Sequence, residues 1–384
     1  MIGGKGTAMA KRKVPLALAV LCVGASLVIS CHSGARNVPS VVNNRPRFES
    51  YARIEPVFTI DVTGISMFGK ESAADFDRAI AFDSHDRLYV LDTYASRISV
   101  FAEDGKFLKA FGRPGQGPEE FTSPHRIVIK DDRIYVFEGF TELKILTLDG
   151  VYISKAVVNI ENLLKLRAVT DGFYLFRGRT DPTFTKLAFV MSKAGDDFGA
   201  GPQLFECDYA PGLSGPNYNF GWHDWMLISE NGKFFFPEEN FNRYLITRYD
   251  AAGRPELRFG RAYEVREYSK AARARFEALY ERWIRTGEMR FPPSPPVVGN
   301  MFQDEEGNVW VVVGESSEDN GDPEFENTID IFSRKGEWLS SMKSRTLSRF
   351  CFYHKGKFYK VPSPDSDRPE QAIEVLGIRY LDPR

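Results

Sequence analysis

Residues 80–111 read IAFDSHDRLYVLDTYASRISVFAEDGKFLKAF, from Ile80 to Phe111. An apolar run ends at a polar turn, Tyr89-Val90-Leu91-Asp92 follows, then Arg97-Ile98-Ser99-Val100-Phe101, an Asp104-Gly105 turn and a last run. Short runs rich in Val, Ile, Tyr and Phe and bounded by turn residues predict strands, and four in succession predict one sheet. Such a sheet cannot cover both of its faces alone, so copies that share an interior are expected downstream.

The cadence does recur. A second copy has Ile127–Ile129, Asp131-Asp132, Ile134–Phe137 and Leu143–Leu148, closing on Asp149-Gly150. A looser third has Leu166–Val169, Asp171-Gly172, Phe173–Phe176 and Leu187–Met191, and a fourth has Trp225–Ile228, Asn231-Gly232, Phe234–Phe236 and Tyr244–Tyr249. The fifth has Val298–Phe302, Glu306-Gly307, Val309–Val313 and Thr328–Phe332, and the sixth has Phe350–Phe352, Lys355-Gly356, Phe358-Tyr359 and Ala372–Tyr380. The sixth stops after three strands. Pro56–Val62, an orphan strand ahead of the first copy, would complete it and remove the open edge. The expected fold class is therefore all-β: a six-bladed β-propeller closed by an N-terminal strand. A β-sandwich or two smaller β domains is the competing reading.

Three segments interrupt the pattern. Glu267–Arg290, with Tyr268, Phe276, Leu279, Tyr280 and Trp283 on one face, predicts an inserted helix (about 266–290) between blades four and five, stopped by Pro292-Pro293. It would cover the side or one mouth of the propeller, or serve as a lid or docking helix. Phe198–Tyr218 and Glu315–Asn327 read as long loops that shape a face.

The N-terminus carries an address. Lys11, Arg12 and Lys13 precede an uncharged apolar run, Val14–Ile29, too short and too closely followed by polar residues for a membrane span. That run ends in Val28-Ile29-Ser30-Cys31, which resembles the lipobox of bacterial lipoproteins. The resemblance implies a signal peptide over 1–30, lipidation of Cys31, a tether over 31–51 and a propeller over 52–384. His32 and Ser33 in place of an acidic pair imply outer-membrane sorting at the cell envelope. Net charge is −2, and removing the four basic residues of the leader leaves about −6 for the mature part. That balance argues against a nucleic-acid partner, which needs a basic surface. Cys207 and Cys351 could pair in an exported chain or remain buried thiols.

Asp92 through Phe101, followed by Asp104-Gly105-Lys106-Phe107, resembles the NHL repeat. Phe111-Gly112-Arg113-Pro114-Gly115-Gln116-Gly117-Pro118-Glu119-Glu120-Phe121 resembles the inter-blade linker of bacterial six-bladed, NHL/TolB-like propeller lipoproteins. The glycines of that linker could mimic a phosphate loop, but no helix follows to supply the dipole, so the segment reads as a turn. Asp92 and Arg97 flank a turn and read as an ion pair or a backbone cap.

Propeller sites gather at the central channel, where the inner strands begin. The residues expected there are Asp77, Arg78, His125, Arg126, Lys165, Arg167, His223, Asp224, Asn300 and Arg349. This set suits an anionic ligand, because arginine offers bidentate geometry to carboxylate or phosphate. Pro124-His125 also resembles the inner-strand start of peptidylglycine amidating lyases, whose histidine binds zinc. By that resemblance His125 and His223 would be metal ligands, though catalytic zinc needs a third protein ligand and no third histidine stands at an equivalent position. Lactonase-like propellers would need Glu and Asn at several channel positions, and only Asn300 matches. The expected function is a membrane-anchored binding or scaffolding module at the envelope, with an envelope protein, a peptide or a glycan as partner. Tyr218, Phe220, Trp222 and Trp225 would contact a glycan or peptide, or else pack between blades. The alternative is a metal-dependent lyase or hydrolase using Zn or Ca in the channel.

Overall fold

The computed structural model describes residues 38–69, 76–139, 141–159, 163–180, 187–195, 198, 201–209, 226–229, 231–238, 243–270, 273–274, 277–278, 281, 285, 294–314, 325–348, 351–362 and 371–381. Two strands lead: β1 (Ser40–Asn43) and β2 (Ala52–Asp61). The first sheet is then β3 (Ile80–Phe82), β4 (Leu88–Asp92), β5 (Arg97–Phe101) and β6 (Phe107–Phe111), and the second is β7 (Pro124–Lys130), β8 (Arg133–Glu138), β9 (Glu142–Thr147) and β10 (Tyr152–Val157). The third comprises β11 (Leu163–Val169), β12 (Gly172–Thr180), β13 (Leu187–Ala194) and β14 (Gln203–Tyr209). The fourth comprises β15 (Leu227–Ile228), β16 (Phe234–Glu238), β17 (Leu245–Tyr249) and β18 (Pro255–Arg261). The fifth has β19 (Val298–Gln303), β20 (Val309–Val313), β21 (Asn327–Phe332) and β22 (Trp338–Ser344), and the last has β23 (Cys351–His354), β24 (Lys357–Lys360) and β25 (Ala372–Tyr380).

The sixth sheet takes its outer strand from the start of the chain. β2 runs antiparallel to β25 from Ala52 opposite Tyr380 to Asp61 opposite Ala372, and Leu381 N donates to Tyr51 O at 2.9 Å. The fold is thus an all-β six-bladed propeller, closed as the orphan strand predicted.

Packing between sheets follows the two-residue period of a strand. Phe234 and Phe236 of β16 pack against Phe176 and Met191 of the third sheet, whereas Phe235 between them joins Val309 and Val311 of the fifth. Ile134 and Val136 of β8 face the first sheet, and Tyr135 and Phe137 meet Phe173 of the third. Trp310 closes on Phe358 between sheets five and six, and Tyr359 and Val375 join the first-sheet cluster. Every sheet therefore buries both faces against its neighbours, and the second strands are continuous apolar runs rather than alternating ones.

The structure departs from the sequence reading in two places, the tether and the loop after Phe198. Residues 38–51, expected as tether, lie on the ring: β1 pairs in parallel with Arg258–Arg261, and Arg47 N and Phe48 N donate to Trp338 O and Leu339 O. Asn43 fastens this strap, donating to Gly260 O and Gly336 O at 2.9 Å each and accepting from Trp338 N at 3.0 Å. Its polar, proline-containing composition hid it, because a strap needs only main-chain pairing and one amide. Within the expected loop Phe198–Tyr218, Gln203–Tyr209 is β14, paired with β13; its composition is half polar, as an outer strand allows. Over 266–290 the described positions from Lys270 on, namely Lys270, Arg273, Ala274, Glu277, Ala278, Glu281 and Arg285, are helical. Only scattered positions are described, with Arg273 N donating to Ser269 O at 3.0 Å, and Phe276, Leu279, Tyr280 and Trp283 lie outside the described residues. Cys351 is a buried free thiol, so it forms no disulfide with Cys207.

Candidate functional site

The inner strands of three blades begin with the same irregularity. In β7 the ladder passes from Pro124 opposite Glu138 to Arg126 opposite Phe137, leaving His125 as an extra residue. β11 omits Leu164 between Leu163 and Lys165, and β19 omits Gly299 between Val298 and Asn300. A bulge bends the strand and re-aims its side chains, and here it recurs where the strands enter the channel wall.

Cations use these bulges. Arg126 is buried, 3% exposed, and its Nη2 donates to the carbonyl of the extra residue Leu164 at 3.4 Å. One blade further on, Lys165 Nζ donates to Met226 O at 2.9 Å. Arg78, half-buried in the single helical turn Phe76–Ala79 that leads into β3, stands near His125 on the other side. The field of this group is legible in the imidazole: burial first, then the charges of Arg126 and Arg78, lower the pKa of His125 to about 4, with main-chain groups of Ser123 and Phe137 acting the other way. His125 is neutral at physiological pH, inside a positive arc.

The other expected channel residues divide. Asn300 is buried, and its Oδ1 accepts the main-chain N–H of Met301 at 2.7 Å. Arg167 is exposed and acts electrostatically on His354 rather than on His125. His223, Asp224 and Arg349, together with the side chain of Asp77, lie outside the described residues. Of the aromatics named for glycan contact, Tyr218, Phe220, Trp222 and Trp225 also lie outside them. Among the described residues no three His, Cys, Asp or Glu side chains gather as a metal would require. The two guanidinium charges near His125 would moreover repel a dication.

A second polar group, absent from the expected set, lies at the seam between blades one and six. His354 Nε2 meets Asp86 Oδ1 at 2.8 Å, Lys355 Nζ meets the same oxygen at 2.5 Å, and the His354 ring stacks on Phe82 at 4.0 Å and 4°. The His354 side chain is 12% exposed. Burial lowers its pKa while Asp86 opposes that shift. His85, in the turn between β3 and β4, is exposed.

The glycine-rich linker is a filled clasp. Glu120 Oε2 accepts Gly117 N at 2.8 Å, and its Oε1 accepts from Arg113 at 2.8 Å. These contacts, the Gly117 N–H first, lower its pKa. A Cβ on Gly115, at φ +153°, would lie 2.1 Å from that same carboxylate, so glycine is required for the carboxylate to seat. The place an exogenous anion would take is held by the protein's own. Below it, Lys144 and Glu138 form a buried pair at 3.0 Å, and Lys144 also donates to Gly117 O and Glu120 O. Asp92 is a backbone cap, accepting from Ser66, Tyr94 and Ala95 N–H.

Two further carboxylates show a repeating device that the sequence carried unread. Asp83 accepts the N–H of Arg87, four residues on, and the hydroxyl of Tyr89, six on; Asp304 accepts from Asn308 and from the indole of Trp310 at the same offsets. Each pins a turn to the following strand.

Residues 79–201 match a family model described as a 6-bladed beta-propeller. No curated protein matches the sequence. Among solved structures, an exported-protein candidate of Bacteroides fragilis aligns over 92% of this chain and 100% of its own at 11% identity, with a TM-score of 0.50. A member of the DUF4221 family from Bacteroides vulgatus aligns over 87% and 100% at 10% identity, with a TM-score of 0.54. At such identities the likeness is one of fold.

Proposed function

We propose that this protein is an exported, lipid-anchored propeller of the NHL/TolB-like lipoprotein kind. In this reading residues 1–30 are its signal peptide, Cys31 carries the lipid, and the outer membrane is its site. It acts as a binding module, and its ligand is an anion held where blades one and two open into the channel. The observation that carries this reading is the convergence of Arg78, Arg126 and a neutral His125, which offers positive potential beside a hydrogen-bonding ring. The exported-protein name of the Bacteroides fragilis neighbour supports the location. The partner would be an acidic glycan, an acidic peptide or an acidic segment of an envelope protein. A lyase or hydrolase reading gains no support from His125, given the cations beside it.

Calorimetric titration of the full chain with polygalacturonate and with a poly-glutamate peptide tests the proposal. Binding that weakens about tenfold in Arg78→Gln, as expected for loss of one charge-assisted contact, supports it. Binding unchanged in Arg78→Gln and in His125→Gln, or no binding of either polyanion, overturns it.

A further inference from the structure

The strap changes what the lipid anchor can do. This inference rests on the reading of Cys31 as the lipidated residue. If the whole expected tether were free, the twenty residue steps from Cys31 to Tyr51 would let the propeller stand up to about 70 Å from the bilayer and tumble. The ring instead takes hold of the chain at Pro39, whose carbonyl accepts Arg258 N at 2.8 Å, and β1 then runs along the outer edge of blade four. From Cys31 to Val38 seven steps remain, which span at most about 25 Å when fully extended.

We infer that the rim of blade four is the surface the protein presents to the lipid headgroups. Blades one and two, across the ring, are thereby turned away from the membrane. On the strap Val42 is 61% exposed and Arg45 is exposed beside it, while the exposed Arg47 pairs with Glu337 at 3.4 Å. Apolar and cationic groups side by side meet acyl chains and phosphates respectively. The opposite rim bears Phe107 and Leu108 on β6, Val151 just before β10, and Ile153 and Val157 on it, all exposed, and among the described residues no strap lies over them. With blade four against the bilayer, that rim faces the aqueous side.

The test is energy transfer from single labels to a headgroup acceptor in phosphatidylethanolamine–phosphatidylglycerol vesicles that carry the acylated full-length protein in a Cys207→Ser background. Arg254→Cys and Lys106→Cys occupy the same turn, between third and outer strand, of blades four and one, so they differ only in which rim they report. Transfer about twofold higher or more from position 254 is expected from the short reach. Inserting twenty Gly and Ser residues after Gly34 leaves the ring intact and should erase the difference. Equal transfer from both positions with the native tether overturns the orientation. Vesicle association that survives Cys31→Ser, or never occurs, overturns the anchor reading and the orientation with it.

Discussion

His125 and His354 sit on inner strands of blades two and six, both largely buried, and their surroundings have opposite signs. His125 stands among guanidinium groups, whereas His354 is held between an aromatic face and the Asp86 carboxylate. Burial disfavours the imidazolium at both positions; at His125 the charges of Arg126 and Arg78 add to that effect, whereas at His354 the Asp86 carboxylate opposes it while Lys355 and Arg167 add to it. The contrast teaches that a buried histidine is assigned by its partners. His354 fastens the seam between blades one and six through Phe82 and Asp86, and His125 stands beside the guanidinium groups of Arg126 and Arg78.

Several measurements would break or sharpen that contrast. The largest difference should come from truncation: His354→Ala loses the Phe82 stack and the Asp86 bond and should cost about 2–3 kcal/mol in urea unfolding. His125→Ala, which gives up hydrogen bonds with the main chain of Ser123 and Phe137 but no aromatic stack, should cost less, about 1 kcal/mol. Equal losses would refute the division of roles.

Acid comes next. His125 is depressed in the folded state, so the unfolded chain takes up a proton near pH 6.5 that the folded protein refuses until about pH 4. Stability is fully present above pH 6.5, falls between these values, and levels off below the lower one. The full shift would amount to about 3 kcal/mol, which solvent screening of a partly exposed ring reduces to about 1–2 kcal/mol. His125→Gln should flatten this part of the stability profile; an unchanged profile would exclude the titration of His125 as its source.

Asp86→Asn keeps the shape of the seam and removes its charge. The titration of His354 followed by NMR should move to lower pH, with stability falling by about 1 kcal/mol. Movement to higher pH would mean that Asp86 does not stabilise the imidazolium. The exposed pair Lys357–Glu103, 3.0 Å apart across the same seam, should matter least: Lys357→Ala is expected to change unfolding by under about 0.5 kcal/mol.

The ring itself was legible because turn residues punctuate strands at even spacing. Pro56–Val62 could be placed because the sixth sheet lacked a strand and no other segment remained to fill it. The strap escaped notice because it repeats nothing and buries little. The channel group was half legible: Arg78, His125 and Arg126 stand at the start of inner strands, as residue types and positions suggested. Bulges that push one residue out of register leave no mark in composition, and the partnership of His354 with Asp86 joins residues 268 positions apart. The offsets from Asp83 to Tyr89 and from Asp304 to Trp310 were visible in the sequence and could have been read as turn pins.

The pairing of β2 with β25 also sets the order of manufacture. The first long strand must wait for β25 before either edge is covered, so the nascent molecule carries an unmet main-chain ribbon until β25 has been made. Truncation before residue 372 would strand that ribbon, whereas joining the old termini and cutting the chain between two other blades would let every sheet complete from contiguous sequence.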